Sequence, residues 1–152
     1  MRAYRSKTAA AWIAFFGGAF GLHRFYLHGW RDRLGWLFAW PTLVGLAGVL
    51  RMRNLGQDDR LAWLLIPALG LSLSVAMLGA IVYGLTPDER WDARHNPQHA
   101  PRATGWGPVL AVIASLLVGA AVLMSTIAFS LQHFFEWELE APAVQKISRL
   151  TP

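Results

Sequence analysis

The sequence predicts an all-α integral membrane protein whose four transmembrane helices form two hairpins, and three observations predict it. Of its 152 residues 55% are hydrophobic and 15% charged, with a mean hydropathy of +0.34, a balance suited to lipid as solvent. Long apolar runs then follow one another along the chain, and a hydrocarbon core about 30 Å thick takes about 20 such residues to cross. Finally, Trp12, Trp30, Trp36, Trp63, Trp91, Trp106 and Trp137 lie near run ends or in connections, with Trp40 alone deeper. That is where tryptophan settles at the headgroup level of a bilayer.

The first run is Thr8 to Leu22, extendable to Leu27; the second is Leu34 to Leu50, the third Leu61 to Leu85 and the fourth Pro108 to Leu131. Inside lipid only a helix or a closed barrel satisfies its own backbone, and the runs lack the period-two alternation of barrel strands, so they are expected as helices. Fifteen residues of helix span only about 22 Å, whereas continuing to Leu27 reaches about 30 Å. The first helix is therefore expected to continue through His23 and Arg24. The opening MRAYRSK and the apolar centre resemble a secretory signal, but no Ala-x-Ala-like site follows, and the segment is expected to be retained.

The boundaries divide the chain into residues 1–55, a first hairpin closed by the Leu27 to Arg33 turn, and residues 56–152, a second hairpin. The second contains a polar connection at 86–107 and ends in an acidic, aromatic tail at 132–152. No internal repeat is apparent, and the second hairpin holds no counterpart of His23-Arg24-Phe25-Tyr26. Thr86-Pro87-Asp88-Glu89 reads as a helix start, with a Thr cap, Pro in the first turn and Glu completing a capping box. The helix it opens should stop before Asn96-Pro97, because the residue preceding proline is pushed out of the helical region. Trp91 is expected to hold it at the membrane surface.

Around the first turn the residues sort onto faces at 100° per step. Gly17, Gly21, Arg24 and His28 form one stripe of a continuous helix, and Phe16, Phe20 and His23 another. The glycine stripe admits a neighbouring helix at close range. Arg24 caps that approach, its head donating to carbonyls at the end of the second helix or to Asp32 across the turn, or anchoring at the interface by its own stem. His23 is expected at the interface too. Elsewhere, Ser72, Ala76, Ala80 and Gly84 in the third run and Ala111, Ser115 and Gly119 in the fourth repeat every four residues, as close-packed helices do. Pro41 and Pro67 are expected to kink their helices.

Gly18-Ala-Phe-Gly21-Leu-His23-Arg24-Phe25-Tyr26, preceded by Lys7 and an apolar run and followed by Gly35 and a second run, resembles the TM-two (two-transmembrane) domain family over roughly residues 5 to 55. The resemblance implies a helical hairpin with no enzymatic activity attached to its motif. The interaction residues it marks are Gly17, Gly18, Gly21, His23, Arg24, Phe25 and Tyr26. Animal members carry Asp-Arg-Phe where this chain has His23-Arg24-Phe25, and are linked to signalling and protein association with the hairpin loop in the cytoplasm. This chain departs from many relatives at His28, where they have glycine, and in lacking the aspartate common in their second helix.

A four-span reading with the amino terminus inside places eight Lys and Arg on the inner side and six on the outer, which favours that orientation against the animal one. The expected location is the inner membrane of a bacterium. With no cysteine, the chain has no disulfide, thiol chemistry or cysteine-ligated metal. A formal charge of +5, its arginines scattered among short connections, suits anionic lipid headgroups and not nucleic acid. His95 and His99 have metal-ligand spacing, but Pro97 lies between them and further ligands are lacking, so no metal or other cofactor is expected. Glu136, Glu138 and Glu140 would gather round a cation only in an extended tail, and otherwise form a solvated patch.

No HExxH, G-x-S-x-G or paired acids within a helix nominate a catalytic residue, so an enzyme is the least supported class. Ion paths use ionisable residues within the bundle, which the second, third and fourth runs lack. That leaves a neutral-solute transporter or channel component as the alternative. The expected function is that of a non-enzymatic interaction, accessory or scaffold protein. Its partners would be membrane lipids together with a membrane protein or a second copy of the chain.

Overall fold

In the computed structural model, which describes residues 4–100 and 102–148, six α-helices account for the chain: α1 (Lys7–Gly17), α2 (Leu22–His28), α3 (Arg33–Leu55), α4 (Arg60–Leu85), α5 (Asp88–His95) and α6 (Gly107–Ser148). Three of them are long and apolar enough to cross a membrane: α3, α4 and residues Gly107–Glu136 of α6. Leucines, valines and tryptophans stand exposed along all three, among them Leu37, Trp40, Leu64, Val82, Leu116 and Leu117. Apolar surface on that scale is a lipid-facing surface. The protein is an integral membrane protein with three candidate spans, not four.

The expected fourth span fails because the first apolar run is not one helix. After α1 the backbone tightens into a 3-10 turn at Gly18–Phe20, passes through Gly21 at φ 75°, and restarts as α2. At 1.5 Å per residue the eleven residues of α1 and the seven of α2 are about 16 and 10 Å long, each short of a bilayer. Near the α1 start, Lys7 reaches Thr86 and Asp88 just beyond α4, and at the end of α2 Leu27 packs with Ala10 and Trp91. Both ends of the α1–α2 unit therefore lie at one face. Its tip is deeper: Gly18 abuts Ala76, and Thr42 reaches the carbonyl of Ala19. Ala76 lies nine residues, about 13 Å of helix, before Leu85. The first segment is a re-entrant hairpin that packs along α4 from Thr86 back to Ala76 and returns.

Non-helical backbone at membrane depth is tolerated only where protein covers it, and here protein does. Gly17, Gly18, Ala19 and Gly21 are buried, the Gly21 amide donates to the Gly18 carbonyl at 2.9 Å, and Thr42 Oγ1 donates to the Ala19 carbonyl at 2.6 Å. A Cβ on Gly21 would collide with the carbonyl oxygen of Gly35. The continuous stripe of Gly17, Gly21, Arg24 and His28 is accordingly lost, since the left-handed residue resets the helical phase between its members.

The small residues of α4 and α6 meet one another. Ser72, Ala76, Ala80, Gly84, Ala111 and Ser115 are buried, a Cβ on Gly84 would strike Val112, and one on Gly119 would lie 2.8 Å from Met77. Gly45 and Gly48 of α3 similarly face Leu69 and Leu65 of α4. These stripes hold the bundle together. Pro41 and Pro67 sit inside α3 and α4, which continue through them.

Two corners join the first three long elements, and they are the same corner. Aligning residues 24–36 with 51–63 matches Arg24 to Arg51, Gly29 to Gly56, Asp32 to Asp59, Arg33 to Arg60, Leu34 to Leu61 and Trp36 to Trp63. Gly29 and Gly56 have φ of 87° and 88°. Asp32 Oδ1 accepts from Leu34 N at 3.2 Å and Asp59 Oδ1 from Leu61 N at 3.3 Å, each capping the following helix. Arg24 Nε donates to Asp32 Oδ2 at 2.7 Å, and Arg51 Nε to Asp59 Oδ2 at 2.8 Å. The Trp36 indole donates to the Trp30 carbonyl as the Trp63 indole does to that of Gln57. The expectation of no internal repeat is thus overturned for this 13-residue unit.

Helix α5 ends at His95, with Asn96 beyond it, as the Asn-Pro pair predicts. Its start differs from expectation: Pro87 is the capping position without a side-chain bond, and Thr86 Oγ1 turns back to the Val82 carbonyl at 2.7 Å. At the other end of the chain α6 runs on as helix to Ser148, so the tail is not extended. Glu136 there pairs with Gln132 and His133 one turn back. The side chains of Trp137 and Glu140, like Arg2 and Arg149 of the charge count, lie outside the described residues.

Candidate functional site

The motif residues run from the buried tip of the hairpin, at Gly17, Gly18 and Gly21, along α2 to the face where α1 begins, and nearly every polar one is used within the protein. Arg24 chooses Asp32 over the free carbonyls of the next helix. His23 departs furthest from expectation. It is 3% exposed, packed edge-on to Phe38 at 5.4 Å and tilted against Tyr83 at 5.7 Å, with Nδ1 buried and unpartnered among the described residues. It is a core residue of the hairpin because α2 restarts at Leu22 and so points His23 inward between α3 and α4. Phe25 stacks on Trp30 at 5.1 Å and would collide with a side chain at Gly35. The Tyr26 hydroxyl accepts from the Ser6 amide at 3.1 Å, tying α2 to the residue that caps α1.

Beside the hairpin lies a polar clasp that the sequence reading did not anticipate. Asn96, fully buried, reads the backbone of Arg5 with both ends of its amide: Oδ1 accepts from Arg5 N at 2.7 Å and Nδ2 donates to Arg5 O at 3.1 Å. The same Arg5 carbonyl accepts from the Trp91 indole at 2.8 Å. Trp91 is therefore buried against Ala10 and Leu27 as a peg between α5 and the hairpin, in place of the expected surface anchor. Asp92 accepts from Asn96, Tyr4 and the amide of Arg102, and Asp88 from Lys7 and from Thr104 twice. Those bonds, the Lys7 ammonium foremost, hold the Asp88 carboxyl at about 2. The signal was present as Asp88, Asp92 and Asn96, one helical turn apart on one face.

Between α2 and α5 the same face opens into a cavity of about 200 Å³. Arg24, His28, Arg90, Arg94 and His95 line it, over a floor that includes Leu27, Val82 and Trp91. No carboxylate lines it. His95 packs on Trp91 and His99 on Tyr4, so the two imidazoles go to different neighbours, and no group of three His, Cys, Asp or Glu among the described residues is placed to hold a metal.

Three membrane-crossing helices around a re-entrant hairpin, joined by short corners, define a polytopic α-helical membrane protein. Residues 3–52, which take in the re-entrant hairpin and nearly all of α3, match the family model of the TM2 domain. No curated protein and no solved structure matches the chain.

Proposed function

We propose that this protein is a non-enzymatic membrane scaffold or accessory subunit in a bacterial inner membrane, whose TM2 domain builds a docking face. One observation carries the reading: the side chains that mark the motif are consumed in fixing the hairpin's shape, Arg24 on Asp32, His23 in the core and Tyr26 on Ser6. What they fix is a rigid surface of the turn, α5 and the residues before α1.

That surface is the cytoplasmic one. Arg5, Lys7, Arg24, Arg31, Arg33, Arg90, Arg94 and Arg102 belong to it, against Arg51, Arg53, Arg60 and Lys146 at the opposite end of the spans. Among the described residues, eight against four is a clearer asymmetry than the four-span reading gives. With residues 4–7 and the hairpin turn on one side, the charge count and the loop placement of the animal members favour the same orientation.

The test is crosslinking from the exposed residues Arg31 and Ala93 in native membranes, followed by co-purification. A defined protein captured from both positions, and lost on Gly21→Val while insertion persists, is the expected result. Purified protein that by itself moves a neutral solute across liposomes would replace this reading with the transporter one.

A further inference from the structure

Arg90 and Arg94 are one turn apart on α5, and both line the cavity against α2. Like charges at that spacing repel. Among the described residues neither makes a hydrogen bond or ion pair within the protein, although Asp88 and Asp92 are on the same short helix. Those two carboxylates are turned away, committed to Lys7, Thr104, Asn96 and Arg102. Across the cavity, Arg24 and His28 share the single carboxylate of Asp32, at 2.7 and 3.8 Å. Arg51 makes the same corner bond with Asp59 without any such cavity being needed, so the corner explains Arg24 and leaves Arg90 and Arg94 unexplained.

The geometry points to a binding site for a phosphate group in this cleft. Arginine forks suit phosphate oxygens, with two parallel N–H donors each. The cavity's size suits one headgroup, not a nucleotide or a peptide. Its position suits one as well, since it lies where α4 ends, with Val82 continuing the floor down the lipid-exposed side of α4. A phosphate at the level of Arg90 and Arg94 would leave acyl chains against Val82. The phosphate can be presented by an anionic phospholipid or by free phosphate, and the two are separable by experiment.

The full-length protein, purified in a neutral detergent, is followed by native mass spectrometry and by thermal unfolding with added phosphatidylglycerol, phosphatidylcholine or inorganic phosphate. Retention of phosphatidylglycerol with an upward shift in unfolding, and neither with phosphatidylcholine or inorganic phosphate, assigns the lipid. A shift with millimolar inorganic phosphate assigns the soluble ligand. In either case Arg90→Gln with Arg94→Gln weakens binding roughly tenfold or more, the expected loss for charge-assisted hydrogen bonds. Arg31→Gln with Arg33→Gln removes the same charge from the same face outside the cavity and leaves binding within about twofold, since distant surface charge is screened. Because Arg90 and Arg94 are exposed and have no partner among the described residues, the variant should unfold at the wild-type temperature in the absence of ligand. Equal losses from both double variants, or no preference of the wild type for any phosphate-bearing probe over phosphatidylcholine, would overturn the site.

Discussion

Arg24 binds Asp32 across the first corner with Nε 2.7 Å from Oδ2, while the other carboxylate oxygen of Asp32 caps α3. Arg51 and Asp59 repeat both contacts 27 positions later, at the opposite face of the bundle. A motif arginine whose bond is reproduced outside the motif is a building element of helix corners. Asp32→Ala and Asp59→Ala should therefore lower the unfolding temperature in detergent by similar amounts, each losing a helix cap and an arginine partner. A loss confined to Asp32→Ala would show that the first corner has a separate role.

The re-entrant hairpin predicts a sidedness that four spans cannot produce. The chain has no cysteine, so single cysteines report cleanly. Arg31→Cys and a cysteine placed before Tyr4 should react with an impermeant maleimide from one side of a sealed vesicle, and Gln57→Cys from the other. A conventional first span would place the first two on opposite sides.

Glycine substitutions separate backbone strain from crowding. Gly29, at φ 87° and ψ 172°, holds a backbone conformation essentially reserved for glycine with open space around it, so Gly29→Ala should cost only that backbone strain, about 1–3 kcal/mol. Gly21 shares the positive φ, but an added Cβ there meets the Gly35 carbonyl. Gly21→Ala, which adds that collision to a left-handed backbone, should cost more than Gly29→Ala in unfolding measurements, and an equal or smaller cost would remove the close approach from the account.

Asp88 predicts how the clasp responds to acid. Its folded pKa, about 2, lies below the ordinary carboxylate value, so its stabilisation is complete above about pH 4 and is lost as pH falls from 4 toward 2. Trp91 fluorescence should report the clasp loosening across that window. In Asp88→Asn the response should be smaller and the neutral-pH stability lower, because Lys7, 6% exposed, loses its charged partner.

Asn96→Ala should be the most damaging single change in the clasp. It strands the amide donor of Arg5 and takes one bond each from the Arg5 carbonyl, which keeps the Trp91 indole, and from Asp92; a stranded group costs about 1–3 kcal/mol. Hydrogen exchange of residues 4–7 should accelerate while that of α4 does not. Unchanged exchange would mean that the amino-terminal segment is held by Lys7 and Tyr26 alone.

Much of this was legible in the chain. The lipid environment, the three spanning helices, the close faces of α4 and α6, the stop of α5 before Asn96-Pro97 and the pairing of Arg24 with Asp32 all follow from run length, small-residue spacing and cap chemistry, which are local. The corner repeat was legible too, as Arg-x4-Gly-x2-Asp-Arg-Leu-x-Trp. It escapes a search for counterparts of His-Arg-Phe-Tyr because only the arginine of that string recurs.

Sequence alone determined which segments belong in lipid, because transfer free energy depends on residue type. It could not determine the direction in which the first segment travels. An apolar run is equally at home crossing a membrane or turning back within it, and the difference lies in whether the broken backbone finds partners. Thr42 for the Ala19 carbonyl, Gly35 for the approach of Gly21, and Asn96 and Trp91 for the segment before α1 come from distant parts of the chain. Only the tertiary structure brings them together, and with them the arginines of α5 that line the cavity against the hairpin.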